Sequence, residues 1–205
     1  MKRIVCNLLT WAVFILCVWG LIKMGPETLA AEAPMVPFAD SERLSEPVWG
    51  EVKGTDNLLW VSFGAELPTV SVEKEEARLL AKLVWGEARG VKSKAERAAV
   101  IWCALNRVDS TGYACGKSVK HVVTYPSQFT GYRKGNPVTK ECYDLAVDVL
   151  ARWKLEKLTE GYVGRVLPED YLWFRGHGGR NHFRNAYVTS HRWDWSLEGP
   201  YDEIL

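Results

Sequence analysis

One glutamate on the apolar face of a predicted helix is the residue in this sequence best suited to chemistry. In the stretch 79–90, LLAKLVWGEARG, residues Leu80, Leu83 and Val84 recur at the spacing of one helical face. Glu87 continues that series. An ionised carboxylate withdrawn from water is costly unless it is paired, so burial there favours the protonated form. A partly buried, protonated glutamate can act as a general acid.

A structural role for Glu87 is the main alternative. Its carboxylate could pair with Arg89 or Arg107, or it could reach solvent at the end of the helix. Periodicity alone does not separate these interpretations from a catalytic one.

A second carboxylate, which many glycosidases require, is hard to nominate. Asp109 and Asp144 are candidates by position only, and we expect both to be solvated. One acid suffices for glycans that contain muramic acid. There a glutamate protonates the leaving oxygen and then accepts the proton of the substrate's own 6-hydroxyl. The product is a 1,6-anhydro ring, and no water is consumed.

Other chemistries have little support in the sequence. The segment HGGRNH at 177–182 lacks the helical spacing and the HExxH pattern of zinc sites, so we predict no metal and no cofactor. No GxSxG element or nucleotide-binding loop is present. The basic and aromatic run at 175–184 could contact nucleic acid, but in an exported chain we predict no such partner.

The N-terminus predicts export. Met1, Lys2 and Arg3 precede residues 4–22, which contain no charged side chain. Such a run can be a signal-peptide core or can span a bilayer, with cleavage after Ala30 plausible in the first case. We therefore predict a signal peptide or membrane anchor at 1–30. The remainder is expected outside the cytoplasm, at the cell wall or on the membrane.

Composition and charge divide the rest of the chain. The 205 residues are 47% hydrophobic and include ten Trp, a residue type that can stack on sugar rings. The first 70 residues are net acidic and the remainder is net basic, which suits an anionic partner such as cell wall. Residues 31–70 contain scattered prolines and predict a linker or arm, although they could also pack as an extended wrap. The folded domain is predicted at 71–205, and we expect a monomer.

Capping residues and apolar periodicity predict the helices. We expect helices at 71–88 with Ser71 as N-cap, at 93–108 with a capping box from Ser93 to Glu96, at 118–124, and from Thr139 to about 157. A structured loop at 125–137 separates the last two. Residues 171–174 and 181–188 predict the strands of a hairpin with its turn at 176–180.

The cysteines leave two alternatives open. Cys103 could form a disulfide with Cys115 or Cys142, or all three could be reduced and buried.

Four segments together resemble the cell wall hydrolase family of SleB and CwlJ. They are LVWGEARG at 83–90, AAVIWCALNRV at 98–108, QFT at 128–130 and NHF at 181–183. The resemblance implies a small, mainly helical α+β domain, lysozyme-like and similar to lytic transglycosylases, with a β-hairpin beside the cleft. It also implies cleavage of the MurNAc–GlcNAc β-1,4 bond of peptidoglycan, and in several members a role in spore germination. The family's catalytic glutamate matches Glu87.

The resemblance covers the catalytic domain only. SleB-type members often carry a peptidoglycan-binding repeat domain, and residues 25–70 are too short and irregular for one. A spore context is therefore no more strongly implied than a vegetative or phage one.

Six further residues are predicted to contact substrate, each with a structural alternative. They are Gln128, Phe129, Tyr132, Trp173, Asn181 and His182. By contrast, Asn106 and Arg107 are interpreted as structural residues at a helix end. The alternative functions are a water-consuming muramidase, a non-catalytic wall-binding protein and, more weakly, a zinc amidase.

Overall fold

The computed structural model describes residues 46–112, 118–188, 192–193 and 200–201, all within one compact unit, Glu42–Leu205. Its elements in chain order are β1 (Val48–Glu51), β2 (Leu58–Ser62), β3 (Val70–Glu73), α1 (Lys74–Ala88), α2 (Lys94–Asp109), α3 (Val119–Thr124), α4 (Lys140–Thr159), β4 (Trp173–His177) and β5 (Arg180–Arg184). Four helices and two small antiparallel sheets in the described residues confirm an α+β fold.

A three-stranded antiparallel sheet precedes the helices, with β2 in its centre. Leu59 pairs with Val72 and Val61 with Val70, and all four side chains are buried. These residues belong to the same hydrophobic core as the helices. The sequence left open whether residues 31–70 are a linker or pack against the domain, and residues 58–70 contribute to its core.

The first helix begins later than predicted. Ser71 is not its N-cap, because Ser71 lies in β3 between two buried valines, Val70 and Val72. The two-residue period of a strand therefore extends to Glu73, and α1 begins at Lys74.

The caps predicted at Ser93 and Thr139 are confirmed, and Ser118 caps α3 in the same way. In each case the side-chain oxygen accepts a backbone N–H three residues on: Ser93 from Glu96 at 3.2 Å, Ser118 from His121 at 3.2 Å and Thr139 from Cys142 at 3.3 Å. Each bond satisfies one of the donors that a helix leaves unpaired at its start.

Helix α2 is the central helix of the domain. It is buried along almost its whole length and packs against α1, α3 and α4. The apolar faces predicted for the three long helices are buried: Leu80, Leu83 and Val84 of α1; Ala98, Ile101, Trp102, Leu105 and Val108 of α2; Cys142, Leu145, Ala146, Val149, Leu150 and Trp153 of α4. The core thus lies where α1, α3 and α4 pack against α2.

The predicted hairpin forms with a shorter turn. Strands β4 and β5 are joined by Gly178 and Gly179, whose φ angles of 62° and 75° suit a two-residue hairpin turn. Phe174 pairs with Phe183, which is buried, so one face of the hairpin packs on the core. The alternate residues form the opposite face.

Two cysteines are free and buried, Cys103 and Cys142, so neither disulfide considered for Cys103 is formed. Cys115 lies outside the described residues. Burial raises the pKa of the Cys103 thiol to about 11, although Arg107 opposes the shift.

We expect the stability of this protein to fall between pH 9 and pH 11. The ordinary pKa of a thiol is 9.0. The contribution of the buried, protonated Cys103 thiol to the free energy of unfolding is therefore fully present below pH 9 and is lost as the pH rises towards 11. The loss for this one thiol is up to about 3 kcal/mol. Urea unfolding at several pH values, compared with a Cys103→Ala protein, measures it. Equal slopes against pH for the two proteins would contradict the assignment.

Among the described residues, no helix has the length and apolar composition that a bilayer span requires. Residues 1–30, where a signal peptide or anchor is predicted, lie outside the described part of the chain.

Candidate active site

Glu87 lies in the last turn of α1 and is half-buried. Its Oε1 accepts the backbone N–H of Gly131 at 2.6 Å. The amide comes from the predicted loop after α3, so two segments distant in sequence meet at this carboxylate. A hydrogen bond to one oxygen fixes the carboxylate's orientation and leaves Oε2 for other partners.

The Gly131 amide reaches Glu87 because two glycine backbones touch. A Cβ built on Gly86 would lie 2.1 Å from the Gly131 carbonyl oxygen, and one built on Gly131 would lie 2.3 Å from the Gly86 carbonyl oxygen. No real side chain tolerates such a distance to backbone, so both positions require glycine. This contact sets the distance between the loop and α1.

Two polar side chains bind the same loop to α1. The buried Asn136 amide donates to the carbonyl oxygens of Lys82 and Gly131, each at 3.0 Å. Lys82 in turn donates from Nζ to the Lys134 carbonyl oxygen at 2.9 Å. The loop is therefore held at several points around Glu87.

Neither arginine considered as a partner of Glu87 pairs with it. The Arg89 guanidinium lies over the Trp85 ring, 4.8 Å from its centroid. Arg107 donates from Nε to the Leu172 carbonyl oxygen at 2.7 Å. Among the described residues no ion pair to Glu87 is found.

Arg107 instead holds the start of the loop that carries Gly131. Its NH1 group donates to the backbone oxygen of Gln128 at 3.2 Å and to the side-chain oxygen at 3.3 Å. Its guanidinium lies 4.4 Å from the centroid of Phe129, which also stacks on Phe174. Phe129 is only 6% exposed, so the prediction that it stacks on a sugar does not fit this packing.

Asn106 joins α2 to the segment that leads into the hairpin. Its amide nitrogen donates to the carbonyl oxygens of Pro168 at 2.7 Å and Tyr171 at 3.0 Å. Its oxygen accepts from Arg165 at 2.7 Å, and Arg165 pairs with Glu156. The interpretation of Asn106 and Arg107 as structural residues agrees with these bonds.

Replacing Asn106 by alanine is expected to lower the free energy of unfolding by about 3 kcal/mol, because three buried or partly buried hydrogen bonds lose their partner together. Urea denaturation measures the change. Asn185→Ala is the matched control, since Asn185 makes one exposed bond, to Asp170. Equal losses for both proteins would be inconsistent with the role given to Asn106.

Tyr132 and Trp173, the other two aromatic residues predicted to contact substrate, are half-buried. Tyr132 follows Gly131 directly and packs against the core. Burial, with a smaller effect of the Glu75 charge, raises the pKa of the Tyr132 phenol, so its hydroxyl stays protonated at neutral pH. Trp173 begins β4, opposite Arg184.

Asn181 and His182 lie on β5 and make no described hydrogen bond or ion pair with Glu87. The Asn181 backbone N–H donates to the carboxylate of Glu96, which is 2% exposed and also lies 3.7 Å from Arg180. The Asn181 side-chain nitrogen is buried and has no acceptor among the described residues. His182 is half-buried opposite Arg175.

The two acids considered as a second carboxylate are engaged by α4. Asp109 accepts from Trp153 Nε1 at 2.6 Å and from Lys157 at 2.5 Å. Asp144 pairs with Lys140 at 2.5 Å. Within the described residues no group of three His, Cys, Asp or Glu side chains is arranged to hold a metal ion.

Three residues of the site were missed from the sequence: Gly86, Gly131 and Asn136. The available signal was Gly86, since glycine inside an otherwise regular helical pattern often has a packing reason. Its partner could not be identified, because Gly131 lies 45 residues later in a loop that contains two glycines.

A family model described as Cell Wall Hydrolase matches residues 92–203. The match begins after Glu87 and covers α2, α3, α4 and the hairpin. No curated protein and no solved structure matches the chain significantly. Because the matched range exceeds half of its length, the chain belongs to the cell wall hydrolase family of SleB and CwlJ, whose substrate is peptidoglycan.

Proposed function

We propose that this cell wall hydrolase cuts the MurNAc–GlcNAc β-1,4 bond of peptidoglycan as a lytic transglycosylase, with Glu87 as its catalytic acid and base. The observation that carries the proposal is the half-buried Glu87 carboxylate, unpaired with any described cation and bonded through one oxygen to the Gly131 amide. We also propose that the domain has a lysozyme-like arrangement.

The reaction uses the two carboxyl oxygens differently. Oε1 accepts the Gly131 N–H, and in the proposed reaction Oε2 is the oxygen that transfers the proton. Glu87 gives this proton to the glycosidic oxygen as the bond from that oxygen to C1 of the MurNAc residue breaks. The 6-hydroxyl of the same residue then bonds to C1 and returns its proton to Glu87. The enzyme is regenerated, and the new chain end is a 1,6-anhydro sugar.

The bonds of three other acids support intramolecular attack over hydrolysis. A water-consuming glycosidase needs a second carboxylate to act as base or nucleophile. Asp109 and Asp144 both face cations of α4, and Glu96 accepts from the hairpin backbone. This supports the single-acid route without any cofactor.

Substrate contacts are proposed around the loop and the hairpin. Gln128 is bonded to Arg107 at the start of the loop, and Tyr132, which is half-buried, follows Gly131 in the chain. Trp173, Asn181 and His182 remain proposed contacts on the hairpin. We also propose that the protein is exported as a monomer and acts outside the cytoplasm, with the N-terminal segment either removed or holding it to the membrane.

A clearing assay tests the reaction type. The full chain is incubated with a suspension of purified peptidoglycan, and both turbidity and newly formed reducing sugar ends are followed. We expect clearing without a matching rise in reducing ends. A matching rise would instead establish the water-consuming muramidase. Co-sedimentation with peptidoglycan but no cleavage would favour a wall-binding protein.

A further inference from the structure

We propose that the solvent-facing side of the β4–β5 hairpin binds a phosphodiester polymer of the cell wall, a polyol-phosphate chain. This side, called the basic face below, consists of Arg175, His177, Arg180, His182, Arg184 and Arg192. The proposal concerns a second ligand in the wall and does not depend on the chemistry of Glu87; of the six residues, only His182 is also a proposed peptidoglycan contact.

The strand register places these side chains together. Arg175 pairs with His182, and His177 pairs with Arg180, so each pair projects from the same side of the hairpin. Arg192 reaches that side through a bridge to Arg184. The opposite side carries Phe174 and Phe183 and packs on the core, which leaves the basic face to solvent.

Three arginines of the basic face, Arg175, Arg184 and Arg192, have no ion-pair partner in the described part of the chain, unlike arginines elsewhere in the domain. Arg152 pairs with Asp148 at 2.8 Å, and Arg165 pairs with Glu156 at 2.5 Å. Among the described residues no carboxylate lies within ion-pair distance of Arg175, Arg184 or Arg192, and Arg180 reaches Glu96 only at 3.7 Å. So many like charges repel one another unless an anion lies between them.

One nitrogen on this face is buried and has no acceptor. Nε of Arg184 is inaccessible to solvent and makes no hydrogen bond in the described structure. Arg184 also lines a cavity of about 300 Å³, together with Arg175, His177, His182 and Arg192. Guanidinium groups bind phosphate oxygens in pairs, so the arginines that line this cavity can hold an oxyanion through their terminal nitrogens.

The linear arrangement selects a repeating anion. Successive cross-strand pairs on one side of a hairpin are about 7 Å apart, since each strand residue advances about 3.4 Å. A polyol-phosphate chain presents one negative charge per repeat along an unbranched backbone. The carboxylates of peptidoglycan stems lie on side branches instead. Single-stranded nucleic acid stacks its bases on aromatic rings, and besides the imidazoles of His177 and His182 the described register adds only the half-buried Trp173 to this side.

Binding of poly(glycerol phosphate) to the full chain in non-ionic detergent tests the proposal. Arg175→Gln/Arg192→Gln removes two exposed charges from the basic face and is expected to weaken binding about tenfold at low salt. The slope of log affinity against log salt concentration should also become shallower by roughly one to two. Lys92→Gln/Lys120→Gln removes two exposed charges elsewhere and should leave binding unchanged.

Competition experiments with the unmodified protein test the proposal without relying on a variant. Inorganic phosphate should displace the polymer from the unmodified protein, and polyglutamate with the same number of charges should bind more weakly. Both double variants should clear phosphate-free peptidoglycan at the original rate, which separates this surface from the Glu87 reaction. Absence of polymer binding, equal losses in both double variants, or tighter binding of polyglutamate or a single-stranded oligonucleotide would overturn the proposal.

Discussion

Replacing Gly131 by alanine is expected to lower the free energy of unfolding by about 1–3 kcal/mol and to remove most peptidoglycan cleavage. The added Cβ would lie 2.3 Å from the Gly86 carbonyl oxygen and 3.1 Å from the Glu87 carboxyl carbon. Since Gly86 is helix backbone, the loop has to move instead. The Gly131 amide then leaves Glu87, so stability and activity fall together. Urea denaturation and the clearing rate measure the two effects.

Neighbouring glycines provide matched controls for this prediction. Gly135 is in the same loop and Gly90 follows the same helix, and a Cβ on either would meet nothing within 4 Å. Gly135→Ala and Gly90→Ala should therefore keep both activity and stability. Gly86→Ala should behave like Gly131→Ala, because its Cβ would lie 2.1 Å from the Gly131 carbonyl oxygen. Normal activity in Gly131→Ala would show that the contact between the two backbones is not needed for catalysis.

Replacing Glu87 by glutamine is expected to reduce the cleavage rate by roughly a thousandfold or more, because the amide cannot donate and take back the proton. The fold should be kept, since the amide oxygen can still accept the Gly131 N–H. The unfolding midpoint should therefore stay the same while the rate of glycan cleavage collapses.

An isosteric change away from the site serves as the control for Glu87→Gln. Glu169 is exposed, and Glu169→Gln removes the same charge without touching α1. It should leave cleavage unchanged. If Glu87→Gln retained the original cleavage rate with an intact fold, Glu87 would be structural and another residue would have to supply the catalytic proton.

Local patterns predicted much of the fold because their determinants are close in sequence. Ser93 and Thr139 cap their helices through N–H groups three residues away. The glycine pair at the hairpin turn likewise acts locally. The apolar series that contains Glu87 identified the half-buried acid because period and burial are directly linked in a helix.

Features that depend on distant partners could not be predicted. Ser71 looks like an N-cap from its neighbours, but strand β2 extends β3 through it. Phe129 is predicted to contact substrate from its position in a loop, whereas Arg107 and Phe174 cover it. The Gly86–Gly131 contact also depends on residues that are distant in sequence, since neither glycine indicates which residue it will touch.

Digestion of purified peptidoglycan in ¹⁸O-labelled water, with the original protein and with Glu87→Gln in parallel, tests the central claim most directly. The products are separated and weighed by mass spectrometry. Our account predicts 1,6-anhydro-muramic ends without the label from the original protein, and no such products from Glu87→Gln. Labelled reducing ends from the original protein, or unchanged products from Glu87→Gln, would contradict the account.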